Sequence, residues 1–361
     1  MSSPSTTEQT ASSLSAQAGA VTIDEQVSAA EWDRYVEAHS SSVCYHLFAW
    51  RGIFERAFGH PTVYLGARRG ASLVGVLPLV EMRSPIFGRF LVSLPFVNYG
   101  GVLADDPGVE RVLFDRAAEI AGARGLDHVE LRHFTPHFEG APSKQHKVTM
   151  LLPLAPDHEA MWAILDRKVR NQVRKSEKSG LTSEVGGAEL IDAFYPVFAT
   201  NMRDLGTPVY AKRLFQEVFA ALPDRTRMFV VRASDGRPVA AGVGLRYRDT
   251  VEMPWASSLR EFKASSPNNL LYWEALKYAI GAGATTFDFG RSTPNEGTYN
   301  FKAQWGAEPV PLCWEYRLLR GQALPDSSPK NAKFSLAIQV WQRLPLWLAN
   351  AIGPSIVRSI P

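Results

Sequence analysis

Between Thr62 and Val80 apolar residues fall into two short runs around a polar Arg69-Gly70 step, a pattern that predicts an antiparallel strand pair. The stretch Met228–Tyr247 repeats that form, with Asp235-Gly236 at its turn. Each pair is followed by the same succession. First comes a strand-like segment, LVSLPFVNYGG or TVEMPWAS. A helix follows, from about Gly108 to Arg124 or from about Asn269 to Ala282, and then a short strand, His128–Arg132 or Thr285–Gly290. A glycine closes each helix ahead of its strand, in AGARGLDHVELR and in IGAGATTFDFG. One hairpin is commonplace, but two followed by the same strand, helix and strand predict a duplicated module.

The expected fold class is therefore α+β, with mixed sheets covered by helices on both faces. The first module is assigned to residues 21–155 and the second to 156–320. The second opens with a basic helix over 157–180, closed by Gly180, and continues helically to Leu222 with a break at Gly206-Thr207-Pro208. Residues 1–20, rich in Ser, Thr and Ala without an apolar core, read as a disordered tail rather than a secretion signal. Residues 321–361 form a separate amphipathic segment.

Composition narrows the function. The 39 Lys and Arg against 36 Asp and Glu leave a net charge of +3, too little for a nucleic-acid coat but compatible with a local basic patch. Two distant cysteines, Cys44 and Cys313, argue against a disulfide framework or a Cys-rich zinc site. The eight histidines show no metal-ligand spacing; His128, His133 and His137 cluster around one strand and read as structural. No GxSxG, HExxH or P-loop is present, and no stretch reaches the roughly 18 apolar residues of a membrane span. A cytoplasmic location is expected.

Three segments carry candidate chemistry. Arg167–Lys178 holds six bases and one acid; at helical spacing Arg167, Arg170, Arg174 and Lys178 share one face with Asn171. Like charges packed this way repel unless solvent or an anion relieves them, so phosphate binding competes here with an ordinary solvated face. At the end of the last short strand, Asp288-Phe289-Gly290-Arg291 leads into a polar loop with Tyr299 and Lys302. Strand ends of mixed sheets commonly hold ligands, Arg291 offers a fork for an anion, and Lys302 offers a compact cation for a developing negative charge. The turn Pro95–Gly101 adds Asn98 and Tyr99 beside paired glycines, and the break at 206–208 is flanked by Asn201, Arg203, Asp204 and Tyr210.

The element order is that of the acyltransferase fold whose sheet splays to admit an acyl donor. Coenzyme-A-dependent members carry a glycine-rich loop at the helix after that splay, where amides and the helix dipole hold the pyrophosphate. Here the corresponding segment, Phe262–Asn269, contains no glycine, which disfavours coenzyme A as donor.

The segments PFVNYGG (95–101), KVRNQVRKSEKSGL (168–181), NMRDLGTPVYAKRLF (201–215), PNNLLYWEALKYA (267–279) and FGRSTPNEGTYNFKAQWGAEPVPL (289–312) resemble the FemAB family of peptidoglycan-bridge aminoacyltransferases, in particular its branch associated with exosortase/PEP-CTERM systems. The resemblance spans roughly Glu31 to Leu319. It implies two tandem GNAT-like acyltransferase modules and transfer of an aminoacyl group from aminoacyl-tRNA to an amine on a cell-envelope precursor. No resident cofactor is implied. By the same resemblance Lys302 matches the family's lysine near the reacting centre, and Arg174 and Arg291 become contacts to phosphate or the tRNA acceptor end. The stretch between Gly180 and Arg227 is too short for the coiled-coil arm that many members use to hold tRNA, so the donor stays open between aminoacyl-tRNA and acyl-coenzyme A.

Beyond Asp326 the chain has no acid and four bases, Lys330, Lys333, Arg343 and Arg358. Phe334, Ile338, Trp341 and Leu348 form one apolar stripe with Trp347 beside it, interrupted at Pro345. Residues 330–358 are expected either to pack on the protein's own core or to lie against the inner face of the membrane. The leading functional expectation is an acyl- or aminoacyltransferase acting on an amine of an envelope or exopolysaccharide precursor. In it Lys302 steadies the oxyanion, Asp288 relays a proton, and Arg170, Asn171, Arg174, Arg291, Asn98, Tyr99, Tyr210 and Tyr299 bind substrate. The competing readings are a non-catalytic binder of anionic glycan or lipid-linked intermediates and a coenzyme-A-dependent N-acyltransferase on a sugar amine.

Overall fold

A computed structural model describes residues 19–321, 323–324 and 332–360. Most of the tail expected over 1–20 and the base Lys330 lie outside the described residues. The first half runs β1 (Val21–Asp24), α1 (Ala29–Ala38), α2 (Ala49–Phe58), β2 (Thr62–Arg69), β3 (Ser72–Ser84), β4 (Gly88–Val92), β5 (Leu103–Ala104), α3 (Pro107–Ala123), β6 (His128–His133) and β7 (Ser143–Pro153). The second half continues with α4 (His158–Ile164), α5 (Arg167–Lys178), β8 (Thr182–Gly186), α6 (Ile191–Leu205), α7 (Lys212–Ala221), β9 (Thr226–Arg232), β10 (Pro238–Tyr247) and β11 (Thr250–Ser258). It ends with α8 (Pro267–Gly281), β12 (Thr286–Ser292), α9 (Gly297–Ala303), β13 (Glu308–Leu318), α10 (Ala332–Gln342) and α11 (Leu346–Val357).

All thirteen strands of the described residues join one mixed sheet, in the order β1-β2-β3-β4-β6-β13-β7-β12-β11-β10-β9-β8, with β5 on β3. The expected duplication is visible in the pairing. Antiparallel β2-β3-β4 leads to the parallel pair β4–β6, as antiparallel β9-β10-β11 leads to the parallel pair β11–β12. Each parallel ladder is short: β11 meets β12 only over Thr250–Glu252 against Thr286–Asp288. Beyond Asp288 the register of β12 on β7 shifts at a bulge, where Gly290 takes φ +75°, and β11 and β12 part.

Chain position and sheet position diverge at two strands. β7, from the first half, pairs only with β12 and β13, whereas β13 joins β6 to β7. The two halves are therefore tied by backbone ladders through the middle of the sheet.

Side chains alternate between the faces with the period of two that a pleated strand imposes. On β2, Val63, Leu65 and Ala67 join the core beneath α3, while Tyr64 joins the opposite core. On β9, Phe229 and Val231 join the core beneath α5 and α8, while Met228 and Val230 face the other way. That opposite core is shared by both halves and holds Trp32, Trp50, Phe54, Phe194 and Phe215 from α1, α2, α6 and α7. Two of its buried indoles bond the same short segment: Trp32 Nε1 donates to His46 O at 2.7 Å and Trp50 Nε1 to Cys44 O at 2.9 Å. These bonds fix the 44–46 segment at the rim of the site described below.

Some expectations need correction. The single helix expected over 157–180 is two helices, because Asp166 leaves the helical path and its carboxylate caps a new one by accepting from Lys168 N. The helical pattern assumed from Gly180 onward is interrupted by the strand β8. The strand-like LVSLPFVNYGG stops at Val92, since the chain from Leu94 onward turns into left-handed backbone.

Candidate active site

The loop after β4 reaches from the first half to buried groups of the second. Leu94 (φ 58°) and Phe96 (φ 69°) both occupy the left-handed region, at a cost of about 1–3 kcal/mol each. Aromatic packing offsets that strain: the Phe96 ring stacks on Phe58 with centroids 4.3 Å apart and meets Tyr210 edge-on. The loop thereby places Asn98 and Tyr99 against two buried carboxyl groups of the second half.

Those groups are Glu252, the last β11 residue paired with β12, and Asp288, its partner in register. Asn98 Nδ2 donates to Glu252 Oε1 at 2.5 Å. Tyr99 Oη stands 2.7 Å from Asp288 Oδ2 and 3.2 Å from Glu252 Oε2, and its single phenolic hydrogen serves one of them at a time. Asp288 Oδ1 also accepts from Thr149 Oγ1 at 2.5 Å and from Gly290 N at 2.7 Å. Burial, reinforced by the neighbouring Asp288 charge, pushes Glu252 up to about 8. Burial raises Asp288 as well, against the opposing pull of Thr149, Tyr99, the Gly290 amide and the Lys302 charge. The better-solvated partner of such a pair ionises first, and the other retains a proton at neutral pH.

A cavity of about 460 Å³ opens onto Tyr99, Glu252 and Asp288, with Tyr247, Arg248 and Asp249 on its wall. A second of about 320 Å³ lies on the first-half side of Tyr99, among His46, Gly101, Arg132, His133 and His137. Val43, Tyr99 and Phe134 line both. The histidines there are held by internal bonds. His133 Nε2 accepts from Val102 N, its Nδ1 faces Glu315 at 3.0 Å, and it stacks on His137. Burial drives His46 down to about 3, so it is neutral at ordinary pH.

Lys302, on α9, is buried with its ammonium donating to Gly290 O at 2.8 Å and Arg291 O at 3.0 Å. It lines neither cavity. Burial lowers it to about 8, while the charges of Asp288 and Glu252 work the other way. The ammonium thus holds the bulge carbonyls next to the carboxyl pair instead of reaching openly into the larger cavity.

Arg291 is half-buried, its guanidinium 5.4 Å from the Trp314 ring, and it has no carboxylate partner among the described residues. Arg132, fully buried, lies 4.3 Å over the same indole with its Nε donating to Glu130 Oε1 at 2.7 Å. Burial and the Arg132 charge push Arg291 down to about 10. Lys144, Lys147 and Arg291 add to burial in driving nearby His146, edge-on to Trp314, down to about 4. This cationic group sits where β6, β13, β7 and β12 run side by side.

Of the residues singled out from sequence, Asn98, Tyr99 and Asp288 converge on one point, with Lys302 behind it and Arg291 further along β12. Tyr210 stacks on Phe198, and its hydroxyl lies within the electrostatic reach of Arg291 and Arg132. Arg170, Asn171 and Arg174 sit on α5, which contributes nothing to either cavity wall, and Arg174 lies over Trp162 at 5.4 Å. Tyr299 is half-buried against the α8 core. The place expected for a pyrophosphate cradle is met by α5: Ser176 Oγ donates to Ser266 O at 2.8 Å, and Ser266 Oγ bonds Gln172 Oε1.

Sequence reasoning missed Glu252, Arg132, Thr149 and Trp314. The signal for the first two was an ionisable residue at a core position of an apolar strand, TVEMPWAS and HVELRH, where charge is tolerated only with partners.

Residues 166–303 match the family described as Acetyltransferase (GNAT) domain. Among curated proteins there is no match. Solved structures share the fold over most of the chain. FemX superposes with a TM-score of 0.65 at 15% identity, covering 81% of this chain and 96% of FemX. A tandem GNAT protein from the clavulanic acid biosynthesis pathway gives 0.54 at 11% identity, covering 84% of this chain and all of its own. The C-terminal domain (DUF2156) of a protein named as a lysylphosphatidylglycerol synthetase of Agrobacterium fabrum gives 0.55 at 14% identity, covering 86% and 94%. The chain is a mixed α/β protein whose fold matches tandem GNAT structures, and the GNAT family match falls in its second half.

Proposed function

We propose that this protein transfers an acyl or aminoacyl group to an amine on an anionic precursor of the cell envelope or of an exopolysaccharide, at the site where Tyr99 links Glu252 and Asp288. The observation that carries this reading is that link: a phenol from one half bridges two buried carboxyl groups of the other on a cavity wall. An amine attacking an ester or thioester carbonyl forms a C–N bond and must shed a proton, while the departing alcohol or thiol must gain one. A carboxyl pair sharing one proton serves both needs, with the ionised member accepting and the protonated member donating through the Tyr99 hydroxyl.

Lys302 supplies positive charge behind the pair, where it offsets the negative charge that builds on the carbonyl oxygen. Arg291, its guanidinium 5.4 Å from the Trp314 ring centre and without a carboxylate partner among the described residues, is the contact for a phosphate or carboxylate of the acceptor. The α5 bases Arg170 and Arg174, with Asn171, are a separate surface for a polyanionic donor such as the acceptor end of tRNA. The α5 contacts at Ser266 and the absence of glycine over 262–269 favour that donor class over acyl-coenzyme A.

The test is mass spectrometry of envelope polysaccharide and peptidoglycan from cells carrying the wild-type gene, no gene, or Glu252→Gln. A fragment heavier by one amino acid or one acyl group, present only with the wild type, supports transfer. Identical spectra from all three would overturn it.

A further inference from the structure

Of the nine exposed large apolar side chains among the described residues, five lie between Leu336 and Ile356. Leu336 and Trp347 are each 71% exposed and Val340 55%, with Ile352 and Ile356 also open to solvent. Leu205, 54% exposed at the end of α6, adjoins Gly206, against which Ile338 of α10 packs. Yet α10 and α11 are not loose. Both pack on α6, with Trp341, Ala349, Gly353 and Val357 buried, and His60 Nε2 lies 2.8 Å from Arg358 O. Gly353 lets α11 close directly on Val209.

α11, LWLANAIGPSIV, has no charged residue, so docking one face leaves the other apolar as well. A water-facing indole and four exposed aliphatic side chains on two consecutive helices docked on α6 are apolar surface left for a covering medium. The charge around it narrows the choice. No acid occurs in α10, α11 or the residues that follow, and Arg343 and Arg358 flank the patch exposed. Asp204 of α6, next to Leu205, is paired with Arg203, and two helices with an exposed Trp, flanking arginines and no carboxylate of their own match the boundary of an anionic lipid layer.

We propose that the outer face of α10 and α11 is a docking surface for an anionic membrane, on which the protein rests by inserting Trp347 and its aliphatic neighbours to the depth of the lipid headgroups. This inference does not depend on the catalytic reading.

The full chain is sedimented with vesicles of phosphatidylcholine alone and with vesicles containing about one third phosphatidylglycerol. The expected result is at least about tenfold more bound protein with the anionic lipid, weakened as salt rises from about 0.1 M to about 0.5 M. Trp347→Ser combined with Leu336→Ser lowers binding by about tenfold while the circular dichroism spectrum stays that of the wild type. Failure of the wild type to bind, or equal binding by the folded double variant, overturns the proposal. So does a wild-type dimer that ignores vesicles and that the same variant dissolves, since the face would then belong to a second copy.

Discussion

Tyr99 and Asp288 stand 189 positions apart in the chain, yet the phenolic oxygen of one lies 2.7 Å from the carboxylate of the other. The link depends on the loop from Leu94 to Gly100 crossing from one module to the other. Tyr99→Phe removes only the hydroxyl; its ring keeps its contacts with Tyr45 and Phe134. The variant should fold, and its turnover should fall by about 10² or more, because proton exchange between the two carboxyl groups loses its carrier. Steady-state kinetics alongside a thermal melt checks this, and unchanged turnover would remove Tyr99 from the mechanism.

Glu252 gives a prediction in which stability and activity move apart. Its native pKa of about 8 lies above the 4.5 of an exposed glutamate, so the native state binds this proton more tightly than the unfolded chain does. The associated stability is fully present below pH 4.5 and is lost as pH rises through 8. Glu252→Gln keeps an acceptor for Asn98 and carries no charge to bury. Urea midpoints should be near equal for wild type and variant at acidic pH, with the variant ahead by about 1 kcal/mol or more in mildly alkaline buffer. Its turnover should fall by about 10² or more.

Lys302 is charged below about pH 8, and its ammonium lies behind Asp288 on two backbone carbonyls. Lys302→Met keeps the length and apolar stem of the side chain without the charge. Turnover at neutral pH should drop roughly ten- to a thousandfold, read by steady-state kinetics on protein whose thermal melt shows it folded. A folded Lys302→Met enzyme with wild-type turnover would reduce Lys302 to a clasp for the Gly290 bulge.

The repeat was legible because local signals agreed in both halves. Hairpin turns at Arg69-Gly70 and Asp235-Gly236, and glycines closing α3 and α8, are short-range features that a sequence states directly. β7 and β13 were not legible, because strands that pair across the junction advertise no partner and β13 carries two prolines. The candidate site was half legible. Asn98, Tyr99 and Asp288 stood out beside glycines at element ends, whereas Glu252 hid inside a strand and acquires its meaning only when β12 lies next to it. The α5 bases stood out most strongly in the sequence and contribute to neither cavity, since clustering of charge records exposure as readily as binding.

Gly101 tests whether the second cavity is a built part of the site. A Cβ placed there would lie 2.1 Å from the His133 ring and 2.9 Å from Arg132 O, and the ring cannot simply swing aside. It is held by Val102 N at one nitrogen, by Glu315 at the other and by the stack on His137. Gly101→Ala must therefore shift the loop that carries Asn98 and Tyr99 or break the His133 bonds. Overpacking of this kind costs about 1–3 kcal/mol, read as a lower urea midpoint. Because the displaced loop also holds Tyr99 on Asp288, turnover should fall further than the loss of folded protein accounts for. A variant that loses stability but keeps its turnover per folded molecule would show that the cavity and the carboxyl pair are mechanically independent.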